Sequence, residues 1–280
     1  RDLVRSRGLG DVYKRQLAFG TLLCSQLCSS ASAAMASEEP YNSGIVIRWK
    51  DCKQRIDGFG IAQAGWAKEL FAFKNREQVM DKMFGKDGLR LNILRGEIFP
   101  HYWENETDKD FNLNDDIHIE LSDSDFINKS DDLLRRGQLW LTLKAKNKYH
   151  ISKLVFSTWS APAWMKSNGK VSNGRLKTEC YTDFANYLAA FYNAYKSKGI
   201  APYAISPSNE PGYAAPWNSS LWTADEMGKF ITSYLGPTFR KENIPAKIIF
   251  GENPLWAVYM PQLKMVSSKD FTDTILQNYP

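Results

Sequence analysis

Histidine and cysteine are scarce in this 280-residue chain, which holds three His and four Cys. His101, His118 and His150 are scattered with no His-x-x-x-His pair, and no cysteines stand at metal-ligand spacing, so the sequence predicts no metal site and no cofactor. Cys24 and Cys28 fall in an apolar front end without a good lipoprotein box. That leaves Cys52 and Cys180, whose spacing is compatible with a disulfide or with two free buried thiols. Past residue 36 no run approaches about 18 uncharged apolar residues, so no membrane span is expected there. Also missing are a G-x-G-x-x-G opening a helix and a G-x-x-x-x-G-K-S/T loop, which excludes dinucleotide and P-loop sites. A basic stripe is absent too. Of the net charge of +5, residues 1–16 contribute five basic against two acidic side chains, and residues 17–36 carry no charge. The rest is nearly balanced and lacks the electrostatic footprint of a nucleic-acid partner.

What remains is ordinary in bulk, with 43% hydrophobic and 24% charged residues, which excludes disorder, collagen-like repeats and coiled coil. The length fits one large domain or two ordinary ones. Aromatics, at 13%, are the unusual component. They point either to a large aromatic core or to a carbohydrate site, where flat rings stack on the C–H faces of sugars.

The front end does not read as fold. Residues 1–16 (RDLVRSRGLGDVYKRQ) are discontinuous in character with the rest of the chain and read as a scar or artefact of sequence assembly. Residues 17–36 form a short apolar run ending in Ala34-Met35-Ala36, the pattern of a signal peptide with an A-x-A cleavage site. A secreted or periplasmic, soluble protein is therefore expected. The sequons at Asn105, Asn128 and Asn218 would matter only in a eukaryote.

From residue 55 onward, strand and helix patterns alternate. Strands are predicted at Gln54–Gly60, Leu89–Ile98, Leu154–Ser157, Tyr203–Ser206 and Lys247–Phe250. Asn75 with Gln78 predicts a capped helix start, with Val79, Met80, Met83 and Phe84 on one face. Phe184, Leu188, Phe191 and Tyr195 make a second helical face, stopped by Gly199. Thr223–Glu226 reads as a capping box, Gly236-Pro237 as a stop, and Pro254–Val266 as another helix. Short apolar strands between amphipathic helices indicate an α/β fold of parallel units, closed either as a doubly wound sheet or as an eight-stranded barrel. Polar residues and Trp after several strands favour the (β/α)8 TIM barrel, whose sites lie at strand C-terminal ends.

The strongest chemical signal is Ala204-Ile-Ser-Pro-Ser-Asn-Glu-Pro211, a strand delivering Asn209 and Glu210 to a turn that Pro211 fixes. A carboxylic acid there can protonate a leaving glycosidic oxygen, and an adjacent amide can hydrogen-bond the sugar 2-hydroxyl. Trp159 comes directly after the third strand and can wall the pocket floor, while Trp164 reads equally as a stacking surface or a core residue. Arg95 ends the second strand, where a guanidinium can hold a carboxylate. Tyr213, Trp217 and Trp222 come closely enough after Glu210 to line neighbouring sugar subsites.

Four ordered blocks carry a resemblance: Ile56-Asp-Gly-Phe-Gly60, Ser160-Ala-Pro-Ala-Trp-Met-Lys-Ser-Asn-Gly169, Ser206-Pro-Ser-Asn-Glu-Pro211, and Trp222-Thr223 with Leu235-Gly-Pro237. From about Ile45 to the end the chain resembles glycoside hydrolase family 30, which includes glucosylceramidases, β-1,6-glucanases, β-1,6-galactanases and xylanases. The resemblance implies a (β/α)8 barrel with an attached β-sandwich, to which residues 37–54 would give the N-terminal strand, leaving 55–280 as a partial barrel. It also implies retaining hydrolysis by two glutamates. Glu210 matches the acid/base and Asn209 the residue before it, while Arg95 and Trp159 match pocket residues.

The chain departs from that pattern in lacking the family's nucleophile, a Glu closing the seventh strand. Glu252 ends the next strand after Glu210, and a retaining pair needs carboxyls about 5–5.5 Å apart. The family nevertheless places its nucleophile three strands on, so Glu252 is assigned to pocket lining or structure. An N-terminal fragment of the barrel is expected, with exposed strand edges and little activity alone. The expected substrates are β-linked oligo- or polysaccharides, with a glucosylceramide-type glycolipid as the alternative. A non-catalytic sugar-binding barrel and another barrel glycosidase family with an Asn-Glu strand end complete the range.

Overall fold

A computed structural model describes residues 50–51, 55–63, 66–103, 105–107, 109, 136–255 and 267–279. The chain divides into two units, Arg1–Arg55 and Ile56–Pro280, and the strands and helices among the described residues belong to the second. The expected scar, signal peptide and accessory strand, together with Cys52, His118, Asn128 and most of the Pro254–Val266 helix, lie outside the described residues.

Five strands are described: β1 (Gly60–Ala62), β2 (Ile93–Ile98), β3 (Lys153–Thr158), β4 (Ala204–Ser206) and β5 (Lys247–Ile248). The helices are α1 (Ala67–Ala72), α2 (Arg76–Phe84), α3 (Arg136–Tyr149), α4 (Tyr181–Ser197), α5 (Ala224–Phe230), α6 (Gly236–Lys241) and α7 (Ser268–Asn278). The sheet order is β1-β2-β3-β4-β5, and every pair is parallel. A doubly wound sheet reverses its strand order part-way, so this one-way succession is the wall of a barrel.

The two faces of that wall differ because side chains alternate along a strand. Leu94, Ile98, Leu154, Phe156 and Ile205 are buried among the helices. Phe156 packs edge-on against Phe191 at 5.1 Å and Tyr195 at 5.0 Å, both on α4. The predicted α4 face Phe184, Leu188, Phe191 and Tyr195 is buried throughout. Gly96 lets α3 approach β2: a Cβ there would stand 2.6 Å from the Phe156 ring and 2.9 Å from Gln138 Oε1. The Gln138 side chain in turn accepts from the Glu97 amide and donates to its carbonyl, both at 2.7 Å.

Several local expectations change. The first strand is Gly60–Ala62 and not Gln54–Gly60; Ile56 and Phe59 are 61% and 69% exposed. The Asn92 side chain instead accepts from the Phe59 amide at 2.9 Å, holding that segment beside the start of β2. Leu89 is also exposed, and β2 begins only at Ile93. β5 stops at Ile248, short of Phe250. Asn75 does precede α2, but its side chain makes no capping bond. Thr223 and Glu226 form the full reciprocal capping box. Gly236-Pro237 does not stop the helix. A π turn over Ile231–Leu235 carries the chain into α6, with the Gly236 amide bonded to the Ile231 carbonyl. The wider turn accommodates a proline that has no N–H to give and whose ring would clash with the carbonyl four residues back.

Candidate active site

On the inner face of the wall the side chains turn polar towards the C-terminal ends of the strands. β2 pairs Glu97 with Ser157, and β3 pairs Ser157 with Ser206, so these three share one level and one face; Arg95 lies one step back along β2 on that same face. Past β4 the backbone is held on both sides. The Asn209 amide donates to the Thr158 carbonyl at 2.6 Å and the Glu210 amide to the Glu252 carbonyl at 3.0 Å. Gly212 donates to Asn253 Oδ1 at 2.8 Å. Glu210 itself has φ of +46°, in the left-handed region. For a residue with a side chain this costs about 1–2 kcal/mol, which the flanking bonds offset.

Arg95 is the hub. Its guanidinium donates to Asn209 Oδ1 at 2.8 Å and to Glu252 Oε1 at 3.2 Å, and lies over the Trp159 ring at 4.5 Å. Ser157 Oγ donates to the other Glu252 oxygen at 2.9 Å. The Glu210 carboxyl, half-buried, is pushed above the usual carboxylate range, first by burial and further by Glu252, against a lowering by Arg95. A carboxyl whose pKa is raised holds its proton more readily than an ordinary carboxylate, which suits it to give that proton to a leaving group.

Six of the sequence-predicted residues therefore converge or stand nearby. Glu210, Asn209, Arg95 and Trp159 are gathered at the strand ends. Tyr213 lies on the loop beyond, 6.3 Å from the ring of Trp217, which is 39% exposed. Trp222 is not among them. It is 5% exposed and packs with Tyr181, Phe184 and Phe230 in the core. Trp164 is half-buried and donates its indole N–H to the Trp103 carbonyl at 3.2 Å.

Three further residues belong to this region that motif reasoning does not single out. Ser157 reads in sequence only as a strand residue, although the alternation that places Arg95 inward also places it inward. Glu97 is buried, and burial pushes its carboxyl up to about 7, against lowering by an Asn218 hydrogen bond and by Arg95. Lys166, also buried, donates to Ser160 Oγ at 3.0 Å and to the Ser219 carbonyl at 2.7 Å, tying the loop after β3 to the loop after β4. Burial pulls its ammonium down to about 8.

Residues 56–252 match the glycosyl hydrolase family 30 TIM-barrel domain. The chain belongs to that family. Among curated relatives it is 27% identical over 230 residues to the lysosomal acid glucosylceramidase of Mus musculus, covering 73% of this chain and 42% of that protein. It is likewise 27% identical over 238 residues to the glucuronoxylanase XynC of Bacillus subtilis (strain 168), covering 83% of this chain and 46% of that protein. The chain thus spans less than half the length of these family 30 relatives. The solved endo-β1,6-glucanase BT3312 shares the fold at a TM-score of 0.62 with 21% identity, over 80% of this chain and 50% of that one. Among the described residues no helix is long and apolar enough to cross a membrane.

Proposed function

We propose that this chain supplies the acid/base side of a retaining family 30 glycosidase acting on β-linked glycans. One observation carries the reading: a Glu with a raised pKa at the end of β4, next to an Asn held by a β2 arginine. Glu210 gives its proton to the glycosidic oxygen as the bond to the sugar breaks, while a second carboxylate forms the glycosyl-enzyme bond. Water then attacks that intermediate, Glu210 takes a proton from it, and the sugar leaves with retained configuration. Asn209 hydrogen-bonds the sugar, Trp159 forms the floor, and Tyr213 and Trp217 the rim. Glu252 accepts from Arg95 and Ser157 and so holds the arginine beside Asn209. The family relatives act on different β-glycosides by name, and the exposed Trp217 beside Tyr213 supports an extended glycan. Export to the periplasm or medium accompanies this reading, on the apolar segment 17–36.

The test is Glu210→Gln in the intact protein, with alkyl and aryl β-glycosides compared. Alkyl glycosides need the proton and should slow by about 10²–10⁴-fold, while glycosylation by activated aryl glycosides should change far less. Equal, minor losses on both would remove Glu210 from the acid/base role.

A further inference from the structure

We propose that Glu97, with Asn218, forms a charge-selective sugar subsite that admits neutral sugars and rejects uronates. This deepens the glycosidase reading, on which it rests for the ligand being a sugar. The placement argues for it. Glu97 stands on the inner face of the wall, at the level of Ser157 and Ser206, one strand step beyond Arg95. In a β/α barrel that end of the strands is where ligands bind.

Its partner is held firmly. Asn218 stands beside the Glu97 carboxyl on the loop that also carries Tyr213 and Trp217, where its amide favours the charged form. That loop is fixed on its other side: residues Ser172 and Asn218 form a bridge, and the Ser219 amide donates to the Val171 carbonyl at 2.9 Å. Buried Lys166 binds the Ser219 carbonyl directly. The clasp therefore has a rigid donor and a buried acceptor.

Charge supplies the selectivity. Among the described residues at the site, one guanidinium, Arg95, serves three carboxyl groups: Glu97, Glu210 and Glu252. Arg95 already bonds Glu252 and Asn209, and Lys166 is engaged by Ser160 and Ser219. A neutral sugar can give a hydroxyl hydrogen bond to the Glu97 carboxylate. A uronate would bring a second anion into a site with little dielectric screening and, among the described residues, no spare cation.

The experiment measures binding, so that it does not depend on turnover. Methyl β-glucoside is titrated against methyl β-glucuronide, and methyl β-galactoside against methyl β-galacturonide, calorimetrically at pH 7.5 with the intact protein. Each pair differs only at C6. Wild type should bind the neutral member of at least one pair about tenfold or more tightly. Glu97→Gln keeps the size and the Asn218 contact but removes the charge, and should bring that ratio to within about threefold. Asn218→Ala, on a loop, should shift the ratio the same way by a smaller factor, and decides the matter if Glu97→Gln does not melt cooperatively. A merely structural Glu97 would alter the melt and leave the ratio alone. No sugar binding, no neutral preference in wild type, or a ratio unmoved in the folded variants would overturn the proposal. Failure of the glycosidase reading looks different: selective binding intact, with no hydrolysis.

Discussion

The two faces of the β-sheet wall obey opposite rules. The helix-facing side is apolar and closed, with Phe156 locked between Phe191 and Tyr195. The inner side, one residue away along each strand, carries Arg95, Glu97, Ser157 and Ser206 and is continued by Asn209, Glu210 and Glu252. One set of backbone hydrogen bonds supports both. The apolar face provides the stability that lets the other hold a left-handed Glu210 and a Glu97 whose burial outweighs the help of Asn218 and Arg95. Changes on the outer face should therefore register in melting and changes on the inner face in chemistry.

The largest effect should come from the outer face. Phe156→Ala should cost about 4 kcal/mol of stability by leaving a cavity against α4, measured by denaturant unfolding. A loss under about 1 kcal/mol would show that the outer face does not anchor the wall. On the inner face, Asn209→Ala should reduce kcat/KM by about 3 kcal/mol of transition-state stabilisation with an unchanged melting temperature. Unaltered kcat/KM would break the division between the faces.

Glu97 sits on the boundary of the comparison, since it belongs to the inner face yet burdens stability. Its pKa is raised on folding to about 7, so between the unfolded value and 7 the native state binds more protons than the unfolded state. Stability contributed by this group is thus complete at low pH and is lost as pH rises through 7. Between pH 5 and 7.5 the loss should be about 2 kcal/mol, and Glu97→Gln should abolish that slope. An identical pH dependence in the variant would place the burden elsewhere. The smallest effect lies on neither face, at a helix cap. Thr223→Ala should remove the α5 cap and lower stability by about 1 kcal/mol without touching sugar binding.

The α4 face and the Thr223 capping box were legible because periodicity and capping are local: each depends on residues within a few positions. The Asn-Glu-Pro turn was legible for the same reason, as a strand running into polar residues and a proline. The failures were local signals overruled by distant partners. Gln54–Gly60 has strand-like residues, but pairing begins only at Gly60, opposite Ile93. Gly236-Pro237 looks like a stop, and a π turn carries the helix past it. Trp222 is close to Glu210 in sequence, yet Tyr181 and Phe230 hold it in the core.

By itself the sequence determined the alternation of strands and helices, the Asn-Glu-Pro turn that follows β4 and the resemblance to family 30, since these reside in composition and short-range order. Only the tertiary structure decided that Arg95 joins Asn209 to Glu252 across 114 and 157 positions, and that Glu97 meets Asn218. Strand register decides which side chains stand level on the inner face, and that register is set by hydrogen bonds between segments far apart in the chain. The shifts on Glu97, Glu210 and Lys166 come from the same source. Burial is a property of everything that surrounds a group, and no stretch of sequence around it contains that information.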